Sequence, residues 1–147
     1  MHYCLLLITK ELPTKEEIGR IMRPYDTENP ERYDATVEMP PLWFSFDGYY
    51  IGGIYHDRMR HKDGSCVSCA KVSDLSNFDE VECHFCIDEN GGKAIGLESD
   101  DEKDVQAFET ELAKIKANSR DCYATMIDIH VAKWADKRKP RKSEALF

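Results

Sequence analysis

Four cysteines occur as two pairs with the spacing of a structural zinc site. The pattern is C-x2-C-x13-C-x2-C, formed by Cys66, Cys69, Cys83 and Cys86. Four thiolates complete a tetrahedral shell and leave no coordination position open for a substrate. The alternative is that cysteine serves here as a small buried residue, because the alternation over residues 81–88 predicts a strand that points Cys83 and Cys86 to opposite faces. We expect any metal to be structural zinc held by these four residues.

An aromatic segment containing two adjacent glycines runs directly into a stretch rich in arginine and histidine. Aromatic rings can stack on a planar base, a glycine pair lets backbone N–H groups approach phosphate oxygens, and arginine binds phosphate through paired hydrogen bonds. These features predict a site for a nucleotide-like anion; the alternative is that the rings fill the core and the glycines form a β-bulge. The predicted ligand-binding residues are Trp43, Tyr49, Tyr50, Gly52, Gly53, Tyr55, His56, Arg58 and Arg60.

A carboxylate and an imidazole stand two positions apart near the end of the last predicted strand. Alternate strand positions face the same side, so Asp128 and His130 can share a site. Together with His56 and His61 they could support acid–base chemistry. No HExxH, P-loop, GxSxG or paired HxT signature accompanies them, so a structural role is favoured and the catalytic residues stay unassigned.

The elements that must position these residues follow the order strand, helix, strands with a hairpin, helix, strand. An apolar run over residues 3–9 predicts the first strand, and Thr14 with Glu17 forms a capping box at the first helix. A second, amphipathic helix is predicted to start at residues 99–102, with apolar residues at 105, 108, 112 and 115, and 121–131 alternate as a last strand. This β-α-β-β-α-β order predicts an α+β, ferredoxin-like sandwich with loop insertions, with both helices on one sheet face. The other, aromatic face would be open, which predicts a homodimer.

Length and composition predict one globular domain. The chain has 147 residues, of which 41% are hydrophobic and 33% charged. We expect a single domain over residues 1–132 and a basic tail over 133–147. No apolar run is long enough for a membrane span, and six cysteines without an export signal indicate a reducing cytoplasm.

The charge is divided unevenly between the tail and the rest of the chain. Residues 133–147 contain six basic and two acidic groups, or +4, and the other 132 residues contain 14 basic and 26 acidic groups, or −12. The net charge of −8 argues against a general nucleic-acid-binding protein. An acidic body is compatible with ordinary solubility and with mimicry of a nucleic acid.

Four segments of the chain are residues 1–11, Pro24-Tyr25, Ile51-Gly52-Gly53 and residues 121–130. In these four segments the chain resembles a family of small proteins from bacteriophages and prophages. The family's most recognisable motif has the form W-D-W-Y-x-I-G-G-R-W. This chain has the motif's residues at Asp47, Tyr49, Ile51, Gly52 and Gly53 and a conservative replacement at Tyr55. It differs from the motif at Phe46, Gly48 and Ile54. The resemblance implies a viral origin and the cytoplasm of an infected bacterium. Since Ile54 replaces the motif's arginine, Arg58 or Arg60 would supply the positive charge that contacts an anionic ligand.

Three functions from different classes follow. The favoured one is a phage counter-defence protein that sequesters a small nucleotide-type signalling molecule, because stacking rings, amides and arginines give affinity without turnover. The second is an acidic inhibitor of a host defence complex, of the anti-CRISPR type. The third, a small phosphodiesterase, is less favoured because no complete catalytic set is visible.

Overall fold

The computed structural model describes residues 1–30, 46–90, 95–96 and 101–131. The two helices are α1 (Lys15–Met22) and α2 (Glu102–Ala117). The strands are β1 (His2–Thr9), β2 (Gly48–Ile51), β3 (Met59–Arg60), β4 (Cys66–Val67), β5 (Cys69–Lys71), β6 (Phe85–Asp88), β7 (Ile95–Gly96) and β8 (Tyr123–His130). Neither α-helix in this part of the chain has the length and apolar character needed to cross a membrane.

Six of the described strands form one mixed sheet. Its order is β2-β8-β1-β6-β7, and β5 also pairs with β8; β3 and β4 form a separate two-stranded ribbon. β1 is antiparallel to β8 over its whole length and parallel to β6. The register of β1 and β8 places His2 opposite His130, so the start of one central strand meets the end of the other.

The two faces of the sheet carry separate cores. Successive strand residues point to opposite faces, and β1 is apolar on both. Cys4, Leu6 and Ile8 join the core that α2 covers, whereas Leu5 and Leu7 join the core that α1 covers. The helices therefore pack on opposite faces. Residues between β2 and β6 add buried side chains to the α2 face.

The α+β class is confirmed, but the ferredoxin-like arrangement is not, because it requires both helices on one face. The unbroken apolar run of β1 is the physical reason: Leu5, Leu6 and Leu7 are all buried, and a strand of this kind needs cover on both sides. A face left open for a second copy was the argument for a homodimer. Each face of the sheet carries a helix, so the sheet does not itself indicate a dimer, and the homodimer stays a prediction.

The first helix begins as its sequence predicts. The Thr14 hydroxyl accepts a hydrogen bond from the Glu17 amide at 3.1 Å, and the Glu17 carboxylate accepts one from the Thr14 amide at 3.3 Å. Such a capping box satisfies two backbone donors that the helix itself leaves unpaired. Ile18, Ile21 and Met22 then form the buried face of α1.

The strand predicted over residues 81–88 is shorter than expected. β6 begins only at Phe85, and the chain bends at His84, whose amide donates to the Cys4 carbonyl at 2.8 Å. Cys83 and Cys86 therefore belong to the same core, on the α2 side. The prediction that they point to opposite faces is wrong, because the bend interrupts the alternation.

Candidate functional site

Two histidine–carboxylate pairs lie side by side where β1 begins and β8 ends. His2 and His130 are direct neighbours in the antiparallel ladder, and such neighbours project to the same face. Their ring centroids are 5.4 Å apart, with an angle of 72° between the ring planes. The His2 Nδ1 atom lies 2.7 Å from the Asp128 carboxylate, and the His130 Nδ1 atom lies 2.6 Å from the Asp47 carboxylate.

The carboxylates fix which ring nitrogen carries the proton. An ionised carboxylate only accepts hydrogen bonds, so each Nδ1 must donate. Each Nε2 is then the atom that meets a ligand, as an acceptor when the ring is neutral and as a donor when it is protonated. Both rings are accessible, since the His2 and His130 side chains are 39% and 44% exposed.

Asp128 is held rigidly beneath the surface. Its side chain is only 2% exposed. One oxygen accepts from His2, and the other accepts from the Ile54 amide at 3.0 Å. A buried carboxylate with both oxygens engaged fixes the orientation of the imidazole that it contacts.

The glycine pair makes room for β8 and its neighbours. Gly52 and Gly53 both have positive φ, 78° and 54°. A Cβ at Gly53 would collide with the Asp128 carboxyl group, and one at Gly52 would collide with the Ser68 hydroxyl. The close approach that these glycines permit is therefore to the protein's own side chains.

The backbone amides beside the glycine pair are used inside the protein. The Gly52 amide donates to the Met126 carbonyl at 2.8 Å, and the Tyr55 amide donates to the Gly52 carbonyl at 3.0 Å. The His56 amide donates to the Gly53 carbonyl at 3.3 Å, and the Ile54 amide donates to Asp128. These four donors are not available to a phosphate group, although the sequence predicted that role for this segment.

The aromatic residues of the predicted site divide between core and surface. Tyr50 is 64% exposed and lies opposite Asp128 in the β2–β8 ladder. Tyr49 is half-buried and packs edge-on against Phe46, with ring centroids 5.4 Å apart. Tyr55 is buried, and its burial raises the pKa of its hydroxyl. Tyr50 is thus the ring that can stack on a ligand, and Trp43 lies outside the described residues.

The basic residues of the segment are also separated. The Arg58 guanidinium lies 5.1 Å from the Tyr55 ring centroid, on an exposed side chain. Arg60 donates to the Gly64 carbonyl at 3.2 Å within the β3–β4 ribbon. His56 is exposed, with Nδ1 3.1 Å from the Gly53 carbonyl. Of these three side chains, His56 is the one that contacts the glycine pair.

A cavity of about 550 Å³ opens between β1, α2 and the chain before β6. Cys4, Arg58 and His84 line one part of it, and Phe108 and Leu112 of α2 line another. Burial, followed by the charge of Arg58, lowers the pKa of His84, which favours a neutral ring. Cys4 is opposite Asp128 in the β1–β8 ladder, so one residue of the cavity wall is a strand neighbour of a histidine–carboxylate pair.

The four cysteines of the predicted zinc site differ in exposure. Cys66 is exposed, Cys69 is half-buried and accepts from the Thr125 hydroxyl at 3.2 Å, and Cys83 and Cys86 are buried. Burial raises the pKa of the Cys83 thiol to about 12. Across the described ranges, no group of three or more histidine, cysteine or acidic side chains is arranged to hold a metal ion. Zinc binding stays a prediction, which elemental analysis of freshly purified protein tests.

No protein-family model, curated protein or solved structure matches this chain.

Sequence reasoning found Asp128 and His130 but missed their partners, His2 and Asp47. His2 is separated from Asp128 by 126 positions, and Asp47 from His130 by 83. The missing signal is strand register, which brings the start of β1 and the residue before β2 to the end of β8. The structure places His61 elsewhere, at the β3–β4 ribbon, where its amide donates to the Ser65 carbonyl at 2.9 Å.

Proposed function

We propose that the protein binds a small nucleotide-type ligand and that His2 and His130 hold one of its phosphate groups. The supporting observation is the pair of side-by-side imidazoles, each oriented by a carboxylate through Nδ1. A protonated Nε2 donates a charge-assisted hydrogen bond to a phosphate oxygen, a stronger bond than one between neutral groups. This proposal keeps the ligand class that the sequence suggested and moves the phosphate from the glycine pair to the histidines.

The remainder of the ligand can contact the Tyr50 ring or enter the neighbouring cavity. The exposed ring of Tyr50 stands next to Asp128 and can stack on a base. The neighbouring cavity is within the usual size range of small-molecule sites. Arg58 lines that cavity and can bind a second phosphate group through two parallel hydrogen bonds.

In the phage setting that the resemblance implies, such binding would remove a host signalling nucleotide from the infected cell. The site offers stacking, hydrogen bonding and a cavity together, and these support affinity for such a nucleotide. The acidic-inhibitor hypothesis stays the alternative. It is favoured if no nucleotide binds and a host protein forms a stoichiometric complex with the purified chain.

Calorimetric titration against cyclic dinucleotides and ADP-ribose derivatives tests the proposal. The informative variants are His2→Asn and His130→Asn, because the asparagine amide can still donate to the carboxylate in place of Nδ1 while the Nε2 atom is lost. A hydrogen bond to a charged group contributes about 1.5–3 kcal/mol, so each variant should bind about 10- to 100-fold more weakly.

His61→Asn is the matched control, since it makes the same change outside the site. It should bind like the wild-type protein. Failure of the wild type to bind any member of the panel, or equal losses in all three variants, would contradict the proposal.

A further inference from the structure

We infer that the two histidine–carboxylate pairs form a general acid and a general base that hydrolyse a phosphodiester bond in the bound nucleotide-type ligand. This inference rests on the proposed phosphate binding at His2 and His130. It adds a reaction to a site that binding alone would not explain fully.

The charges of the site distinguish proton transfer from simple anion binding. A site built only for affinity gains most from unpaired cations, yet each imidazole here contacts a carboxylate. Asp128 and Asp47 offset the positive charge of protonated His2 and His130. Each pair therefore attracts an anion less strongly than an unpaired protonated imidazole would. What the carboxylates supply instead is a fixed ring orientation and a fixed proton position on Nδ1, and these are requirements of acid–base catalysis.

The positions of the two rings suit one phosphate group. The ring centroids are 5.4 Å apart, close enough for the two Nε2 atoms to contact different oxygens of the same phosphodiester. Asp128 is further immobilised by the Ile54 amide and by the close packing of Gly53. A rigid support of this kind holds the imidazole where proton transfer needs it.

The reaction requires only water as a co-substrate. The neutral imidazole removes a proton from a water molecule through Nε2 while the water oxygen forms a bond to phosphorus. The bond between phosphorus and one ester oxygen breaks, and the protonated imidazole donates its Nε2 proton to that leaving oxygen. The products are a phosphomonoester and an alcohol. The two imidazoles have exchanged protonation states, which solvent then restores.

Asp47 and Asp128 are positioning residues in this scheme, because they contact the imidazoles and not the phosphate. Replacing Asp47 with asparagine removes the negative charge beside His130 Nδ1, and the amide can present either its oxygen or its NH2 group to the ring, so the proton position is no longer fixed. We expect Asp47→Asn to lower the cleavage rate and to shift the pH profile of the reaction. A purely structural role for Asp47 would leave the shape of that profile unchanged.

The experiment incubates the full-length protein with a cyclic di-adenylate in ¹⁸O-enriched water and follows the products by mass spectrometry, with binding measured in parallel by calorimetry. Ring opening should yield a linear dinucleotide that carries one ¹⁸O atom. General acid–base catalysis contributes about 10²- to 10⁴-fold in rate, so His2→Asn and His130→Asn should each slow cleavage at least about 100-fold. His61→Asn should cleave like the wild type, and His130→Gln provides a second test if His130→Asn does not fold.

The outcomes separate the inference from the proposed function. Binding with intact substrate would overturn hydrolysis and leave the binding proposal standing. Cleavage that persists in both asparagine variants, or a first product without ¹⁸O, would also overturn the inferred mechanism. If the dinucleotide neither binds nor is cleaved, and the wider panel does not bind either, the proposed function itself fails.

Discussion

Gly53 lacks a side chain because the Asp128 carboxyl group occupies the space that a Cβ would fill. Its φ of 54° is a second constraint, since L-residues rarely adopt that region. Gly64 has a positive φ as well, 90°, but nothing lies within 4 Å of its Cβ position. Both glycines therefore have a backbone conformation that disfavours any side chain, but a Cβ would collide with another residue only at Gly53.

Gly53→Ala should destabilise the protein more than Gly64→Ala does. The left-handed conformation costs an alanine about 1–2 kcal/mol at either position, and overpacking against Asp128 adds about 1–3 kcal/mol at Gly53 alone. Urea denaturation of the two variants measures the difference directly. Equal losses of unfolding free energy would show that Asp128 does not pack against Gly53 as described.

Individual residues also show where sequence reasoning reaches its limit. The same-face relation of Asp128 and His130 follows from strand periodicity, and β8 confirms the alternation: Ala124 and Met126 join one core, whereas Ile127 and Ile129 join the other. The crowding of Gly53 is not visible in the sequence, because the atoms that approach it belong to a strand far away along the chain. Local pattern does not contain that information.

At the scale of elements, the predictions that succeeded depend on contacts within a few residues. The Thr14–Glu17 capping box is an example, as is the apolar face of α2, where Phe108 and Leu112 are buried. The placement of α1 and α2 on opposite faces depends on β1, whose leucine run is buried on both sides. The run is visible in the sequence, whereas the order of elements alone does not show on which sheet face each helix packs.

Thr14→Ala should lower the unfolding free energy by about 1 kcal/mol, because the Glu17 amide loses its side-chain acceptor. Thr14→Ser is the matched control, since serine keeps a hydroxyl at the same position and should be nearly neutral. Thermal unfolding monitored by circular dichroism compares the two. A Thr14→Ala variant as stable as the serine variant would contradict the contribution of the capping box.

At the scale of the whole molecule, three buried thiols make stability depend on alkaline pH. Burial raises the pKa of Cys4, Cys83 and Cys86 above the ordinary value of 9.0, to about 12 for Cys83. In the unfolded chain these thiols ionise near pH 9, whereas the folded protein keeps them protonated. Their contribution is therefore complete below pH 9 and is lost as the pH rises toward the folded-state values. Burial lowers the pKa of Lys116, a single group acting in the opposite direction.

The unfolding free energy should accordingly fall between pH 9 and pH 11. Each thiol contributes up to about 1.4 kcal/mol per pH unit in that interval. Urea denaturation at several pH values gives the slope, and Cys83→Ala should make that slope shallower whatever its effect on stability at pH 7. A stability that stays level up to pH 11 would show that these thiols are not buried as protonated groups.

The central claim is that a nucleotide-type ligand places a phosphate group on His2 and His130, and the most direct measurement observes those two rings. Carbon–proton NMR spectra of histidine-labelled protein, recorded during titration with a cyclic di-adenylate and with ADP-ribose, report each imidazole separately. We predict that the His2 and His130 signals shift together and saturate at one apparent dissociation constant, while the His61 signal stays in place. A ligand that binds by calorimetry but leaves the His2 and His130 signals unmoved would contradict the account.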